Sequence, residues 1–171
     1  MNTEDYVYRI ISSLKMKLNV ENQIYRYTYK GEVVLSKVEF KEPLLKKDLI
    51  KIKEIGLPED YLSFLKISNG AEFFIDDYHG SQAILKLYSL DEILKNKKFY
   101  LESMQIKNQY PIGILLDNSE LLIDEEALEE GRDYLLLADG SKRFNYGFQE
   151  WLDKFIIAQG NEFWLLDYKY D

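Results

Sequence analysis

Residues 57–70, Leu-Pro-Glu-Asp-Tyr-Leu-Ser-Phe-Leu-Lys-Ile-Ser-Asn-Gly, constrain this chain more than any other stretch. Pro58 suits the first helical position, where the missing N–H costs nothing. Glu59 and Asp60 place negative charge in the first turn, where the helix dipole favours it. Leu57, Tyr61, Phe64 and Leu65 share one helical face. Asn69-Gly70 ends the run, because glycine enters the left-handed conformation without strain. The pattern predicts an amphipathic helix of about three turns. Such a helix must bury its apolar stripe against another layer.

The flanking sequence supplies that layer. Thr3 to Leu18 reads as a helix with Glu4 and Asp5 in its first turn and Val7, Ile10, Ile11, Leu14 and Leu18 along one stripe. Gln23–Tyr29 and Glu32–Phe40 read as a hairpin turning at Lys30-Gly31, and Leu45, Leu49 and Ile52 predict a Lys-rich helix that stops at Gly56. Strands are expected over Glu72–Ile75, Ala83–Tyr88, Ile112–Leu116, Leu121–Asp124 and Tyr134–Ala138. Ser89-Leu90-Asp91-Glu92 is a capping box opening a helix to about Asn96, which Phe99–Lys107 could continue. Phe148, Trp151, Leu152, Phe155 and Ile156 carry the spacing of a last, buried-face helix. Strands and helices do not alternate one by one. The expectation is therefore a single α+β domain with a largely antiparallel sheet.

The ordered pieces resemble the SUKH superfamily, bacterial immunity proteins that share a domain with yeast cell-wall-assembly regulators. They are Leu57-Pro58-Glu59-Asp60-Tyr61, Phe64-Leu65, Asn69-Gly70, Tyr110-Pro111-Ile112-Gly113, Phe148-Gln149-Glu150-Trp151-Leu152 and Phe163-Trp164. The resemblance covers residues 45–167, and residues 1–42 read as an N-terminal helix-hairpin extension of the same domain. It implies a mixed sheet with helices packed against it. It also implies a protein that binds and neutralises a cognate toxin. This chain has Gly147 where family members usually have Ser before the closing Phe.

Composition bounds the chemistry. With 171 residues, 46% of them hydrophobic and 15% aromatic, the chain can bury a substantial core. No cysteine is present, so disulfides and thiolate chemistry are excluded. The first ten residues lack the basic and apolar regions of a signal peptide, and no run is long enough to span a bilayer, so a cytoplasmic location is expected. The net charge of −8 is uneven: residues 1–56 carry +3 and residues 57–171 carry −11. Residues 117–133 hold eight acids against Arg132 alone. Such a region repels nucleic acid and attracts basic partners.

Reactive constellations are weak by comparison. His79, the single histidine, lies beside Asp76 and Asp77 with no second histidine or cysteine to complete a zinc site. It is expected to be a loop residue without a chemical role. Tyr25, Tyr27 and Tyr29 alternate, so they share one strand face, either a half-buried hairpin face or a recognition stripe. Lys46, Lys47, Lys51 and Lys53 read as a solvated helix face. The expectation is an immunity protein rather than an enzyme, without cofactor or metal. Glu72, Asp76, Asp77, Asp117, Glu120, Glu125, Glu126, Glu129 and Glu130 are the expected contacts to a cognate protein toxin, such as a basic nuclease. No nucleic-acid or membrane partner is expected. The alternatives are a regulatory scaffold or small-ligand module of the cell-wall-regulator type, and a hydrolase using a carboxylate pair.

Overall fold

The computed structural model describes residues 3–52 and 55–167. Its centre is a seven-stranded sheet: β1 (Gln23–Tyr27), β2 (Val33–Phe40), β3 (Ala71–Ile75), β4 (Leu85–Leu87), β5 (Gln109–Leu115), β6 (Glu120–Asp124) and β7 (Leu135–Leu137). The strands lie in sequence order, and every neighbouring pair is antiparallel. The helices are α1 (Thr3–Lys17), α2 (Leu49–Ile52), α3 (Glu59–Ile67), α4 (Leu90–Glu102), α5 (Glu125–Glu129) and α6 (Phe148–Ile157). The architecture is α+β, as the element pattern predicts.

Alternation along β6 and β7 separates two faces. Leu121, Ile123, Leu135 and Leu137 join the main core, whereas Leu122 and Leu136 meet Tyr100 of α4 on the opposite side. The main core is closed by α1, α3 and α6, with Val7, Ile11, Tyr61, Phe64, Phe148 and Trp151 all buried. Residues 3–42 are integral to it, because β2 pairs with β3 and α1 packs along α3.

The signature helix sits at this junction. Pro58 is the N-cap of α3 rather than its first helical residue. Asp60 then reaches across to the start of α6. Its carboxylate accepts hydrogen bonds from the Tyr134 hydroxyl at 2.7 Å and the Gln149 N–H at 3.0 Å, and the Tyr134 oxygen accepts from Phe148 N–H at 2.9 Å. The cap of α6 therefore comes from α3 and from the residue just before β7. That is the physical reason for Gly147: a Cβ there would lie 2.8 Å from both Asp60 Oδ2 and Tyr134 Oη. Tyr61 donates its hydroxyl to the carbonyls of Tyr88 and Ile112, tying α3 to the sheet. Gly113 serves the same region, since a Cβ would meet the Lys86 carbonyl at 2.8 Å where β5 passes β4.

Several element ends differ from expectation. The capping box opens α4, which runs through Glu102, so the Phe99–Glu102 part of the following stretch is helical. The expected Lys-rich helix is a 3-10 turn over Lys46–Asp48 followed by one turn of α2; residues 53 and 54 of that expectation lie outside the described residues. The acidic stretch after β6 forms α5, capped by Asp124, which accepts from the Ala127 N–H. In β3 both Phe73 and Phe74 are buried, because Phe74 adopts φ +58° and inserts a bulge opposite β2. Period-two patterning does not signal that break.

Candidate functional site

The nine expected contact residues do not form one surface. Strand directions place Asp76, Asp77, Asp117 and Glu120 at the sheet end holding the β1–β2 turn. Glu125, Glu126, Glu129 and Glu130 lie at the other end, beyond β6, whose five residues separate the groups by about 14 Å. Glu72 is half-buried on the outer sheet face, opposite Glu39 and Lys86.

Many of these acids are bound within the molecule. Asp76 is the clearest departure from expectation, since its side chain is only 1% exposed. Arg26 Nη2 donates to its Oδ2 at 2.6 Å and the Ser36 hydroxyl at 2.9 Å. His79 Nδ1 lies 2.7 Å from Oδ1, and the His79 backbone N–H donates to the same oxygen. Burial opposes ionisation of Asp76, but the Arg26, His79 and Ser36 bonds outweigh it and hold the carboxyl below the usual range. A buried, fully paired carboxylate cannot meet a partner. Its role is to join β1, β2 and the β3–β4 loop, and His79 is part of that junction rather than a free loop side chain.

Elsewhere Asp77 accepts from the Ser81 hydroxyl, Asp117 from the Ser119 N–H, and Glu120 from the Tyr100 hydroxyl. Glu125 pairs with Lys97, which also donates to the Ile55 carbonyl and lies 4.9 Å from the Tyr110 ring centre. Glu126 accepts weakly from Asn108, and Glu130 pairs with Arg132. Asp124 joins Arg143 at 2.7 Å. The exposed remainder of the acidic ridge is thus Glu126, Glu129 and Glu130 on or just after α5, with Asp133 beyond them.

The structure exposes a second surface that charge did not reveal. α4 covers the outer face over β5–β7, leaving β1 and β2 uncovered. There Tyr25, Tyr27 and Tyr29 are 72%, 59% and 77% exposed. Tyr25 pairs across the strands with Leu35, and Tyr27 with Val33, both exposed. Tyr78 from the β3–β4 loop is exposed as well. The stripe of alternating tyrosines in the sequence is therefore part of a surface patch of four tyrosines and two aliphatics. Large rigid aromatics in such a patch favour protein contact.

The rim of this patch is the free edge of β1. Ladder alternation turns the main-chain groups of Gln23, Tyr25 and Tyr27 outward. Gln23 is closed by Asn19, whose side chain accepts from its N–H and whose N–H donates to its carbonyl. Tyr27 is closed by the turn after α6: its N–H donates to Gln159 Oε1 at 2.6 Å, and Asn161 Nδ2 donates to its carbonyl at 3.0 Å. Tyr25 has no such plug among the described residues.

Among the described residues no group of three or more histidine, cysteine or carboxylate side chains is placed to hold a metal ion. No helix among them is long and apolar enough to cross a membrane. No protein-family model matches the chain. The chain is 29% identical over 176 residues to the uncharacterized protein YobM of Bacillus subtilis (strain 168), covering 97% of this chain and 94% of that relative.

Proposed function

We propose that this protein is an immunity protein of the SUKH type that binds a protein toxin and occludes it. The observation that supports the reading best is the uncovered outer face of β1 and β2. A monomer gains nothing from three solvated tyrosines flanked by Val33 and Leu35, whereas a protein partner would bury them. Tyrosines of this kind are common anchors of binding energy. The acidic side of α5 adds long-range attraction for a basic toxin, acting on association rate more than on final affinity.

The test pairs this chain with each candidate toxin domain encoded in the neighbourhood of its gene. Co-expression should restore growth, and Tyr27→Ser with Tyr29→Ser should weaken binding by at least about tenfold while the urea midpoint stays within error. Unchanged protection by that double variant would overturn the assignment of the surface. Failure of the native chain to bind any neighbouring toxin domain would overturn the immunity reading and leave the regulatory-module alternative.

A further inference from the structure

Three elements enclose an open-mouthed bowl of about 720 Å³. The Tyr6 hydroxyl joins α1 to α6 by donating to Asp153 at 3.0 Å. From that apex the two helices lead to opposite ends of β1, where Asn19 after α1 holds Gln23 and Gln159 after α6 holds Tyr27. β1 therefore closes the third side. Ile10, Leu14, Ile24, Phe74 and Ile156 make an apolar floor. Small-molecule sites are typically concavities of about 300–1,000 Å³ with an apolar lining and a few polar groups.

Most polar side chains around the bowl are engaged. Asp153 accepts from Tyr6, and Arg26 is held by Ser36, Asp76 and the Gln159 carbonyl. Arg9, Ser13 and Lys17 differ. They form one wall, are exposed, and their side chains make no hydrogen bond or ion pair among the described residues. Arg9 and Lys17 stand one turn to either side of Ser13, about 6 Å along the axis. Residues at that spacing are surface neighbours, so both long side chains can converge over the Ser13 hydroxyl. Two unpaired cations so close together are notable in a chain of net charge −8. The Asp153 carboxylate lies at the apex beside Tyr6, about 10 Å along α1 from Ser13.

We propose that this bowl binds a medium-chain fatty acid, its carboxylate on Arg9, Ser13 and Lys17 and its alkyl tail across Ile10, Leu14, Ile24 and Ile156. A guanidinium, an ammonium and a hydroxyl that meet at one point suit a single anionic head, with the guanidinium able to bond both carboxylate oxygens. The floor beyond offers no free donor or acceptor, so a polar tail would lose its water without replacement. A second negative group at the far end would meet Asp153, which selects a monoacid. A protein strand is excluded as occupant, because Asn19, Gln159 and Asn161 already fill the edge of β1 on both sides of Tyr25. A ligand of this size leaves the outward N–H and C=O of Tyr25 to water. The site is separate from the outer tyrosine face and does not depend on the toxin reading.

The test titrates hexanoate, octanoate, decanoate and decyltrimethylammonium, each below its micelle concentration, into the isotope-labelled full chain. Decanoate should shift the methyl signals of Ile10, Ile24 and Ile156 saturably, with a Kd below about 1 mM. Each added CH2 along the series should tighten binding about two- to fourfold. The cationic amphiphile, which has the same tail, should bind at least about tenfold more weakly. Arg9→Gln with Lys17→Gln, both exposed, should weaken decanoate about tenfold or more and leave the urea midpoint within error. Equal affinity for the two decyl compounds, affinity independent of chain length, shifts confined to Tyr25, Tyr27 and Tyr29, or no saturable shift would overturn the proposal. A chain that protects against a toxin but takes no decanoate loses the bowl assignment and keeps the immunity reading. A chain that takes decanoate but no toxin domain keeps the bowl and loses the immunity reading.

Discussion

Single side chains in this protein carry distinct physical jobs that their types do not announce. Phe64 has no exposed surface and packs its ring against Tyr61 and Phe148 at 5.6 and 5.8 Å between centroids. Phe64→Ala should cost about 3–5 kcal/mol, read as a shift of the urea midpoint; a loss under about 1 kcal/mol would show that the site collapses around the change. Glu92 closes the capping box of α4 and pairs with Lys86 at 2.7 Å and Lys41 at 3.2 Å. Burial works against its charge, yet the Lys86, Ser89 and Lys41 bonds hold its carboxyl down at about 2. A depressed carboxyl stabilises the fold above the ordinary carboxylate range, and that contribution drains away as pH falls toward about 2. Glu92→Gln should therefore cost about 1–3 kcal/mol near neutrality, and the difference from the native chain should shrink on acidification. A difference independent of pH would mean that the carboxylate's charge contributes nothing. Asp60 shows the opposite sign: burial raises its carboxyl, and bonds from Tyr134, Gln149 and Tyr61 offset only part of that.

At the scale of elements, the recurring device is a cap or plug lent by a neighbour. α6 begins at Gly147 without a side-chain cap of its own, because Asp60 and Tyr134 occupy that space. Gly147→Ala keeps an ordinary backbone conformation but forces its methyl against two oxygens. It should lower stability by about 1–3 kcal/mol, and a neutral effect in urea unfolding would show that Asp60 moves aside freely. The edge of β1 is treated the same way, with Asn19, Gln159 and Asn161 standing in for a missing strand. Capped edges resist indiscriminate pairing with other chains.

For the molecule as a whole, the N-terminal helix decides whether a core exists. Val7, Ile10, Ile11 and Leu14 of α1 are all buried against the main core. Removing them forfeits about 6–12 kcal/mol of burial. The stability of an entire domain is about 5–15 kcal/mol. A chain lacking residues 1–18 should therefore lose its cooperative urea transition, followed by tryptophan fluorescence. A sharp transition at the native midpoint would show that residues 19–171 fold alone.

Local pattern determined much of this architecture. The apolar stripes of α1, α3 and α6, the capping box at Ser89 and the hairpin turning at Lys30-Gly31 follow from residue spacing and turn chemistry, which act over a few residues. The alternation of Tyr25, Tyr27 and Tyr29 was likewise legible, but not whether that face met helix or solvent. That depended on where α4 lands, four strands away. Charge density misled for the same reason. Asp76 and Asp77 are adjacent in sequence, yet one is buried on Arg26 and the other is exposed. Eight of the nine acids separate to opposite sheet ends because antiparallel strands reverse direction. Gly147 and the Phe74 bulge were invisible for a different cause: each answers to atoms brought near only by folding, Asp60 and Tyr134 in one case and the β2 ladder in the other. Short-range periodicity sets which faces are apolar. Contacts distant in sequence set which of those faces are covered and which carboxylates remain free to act.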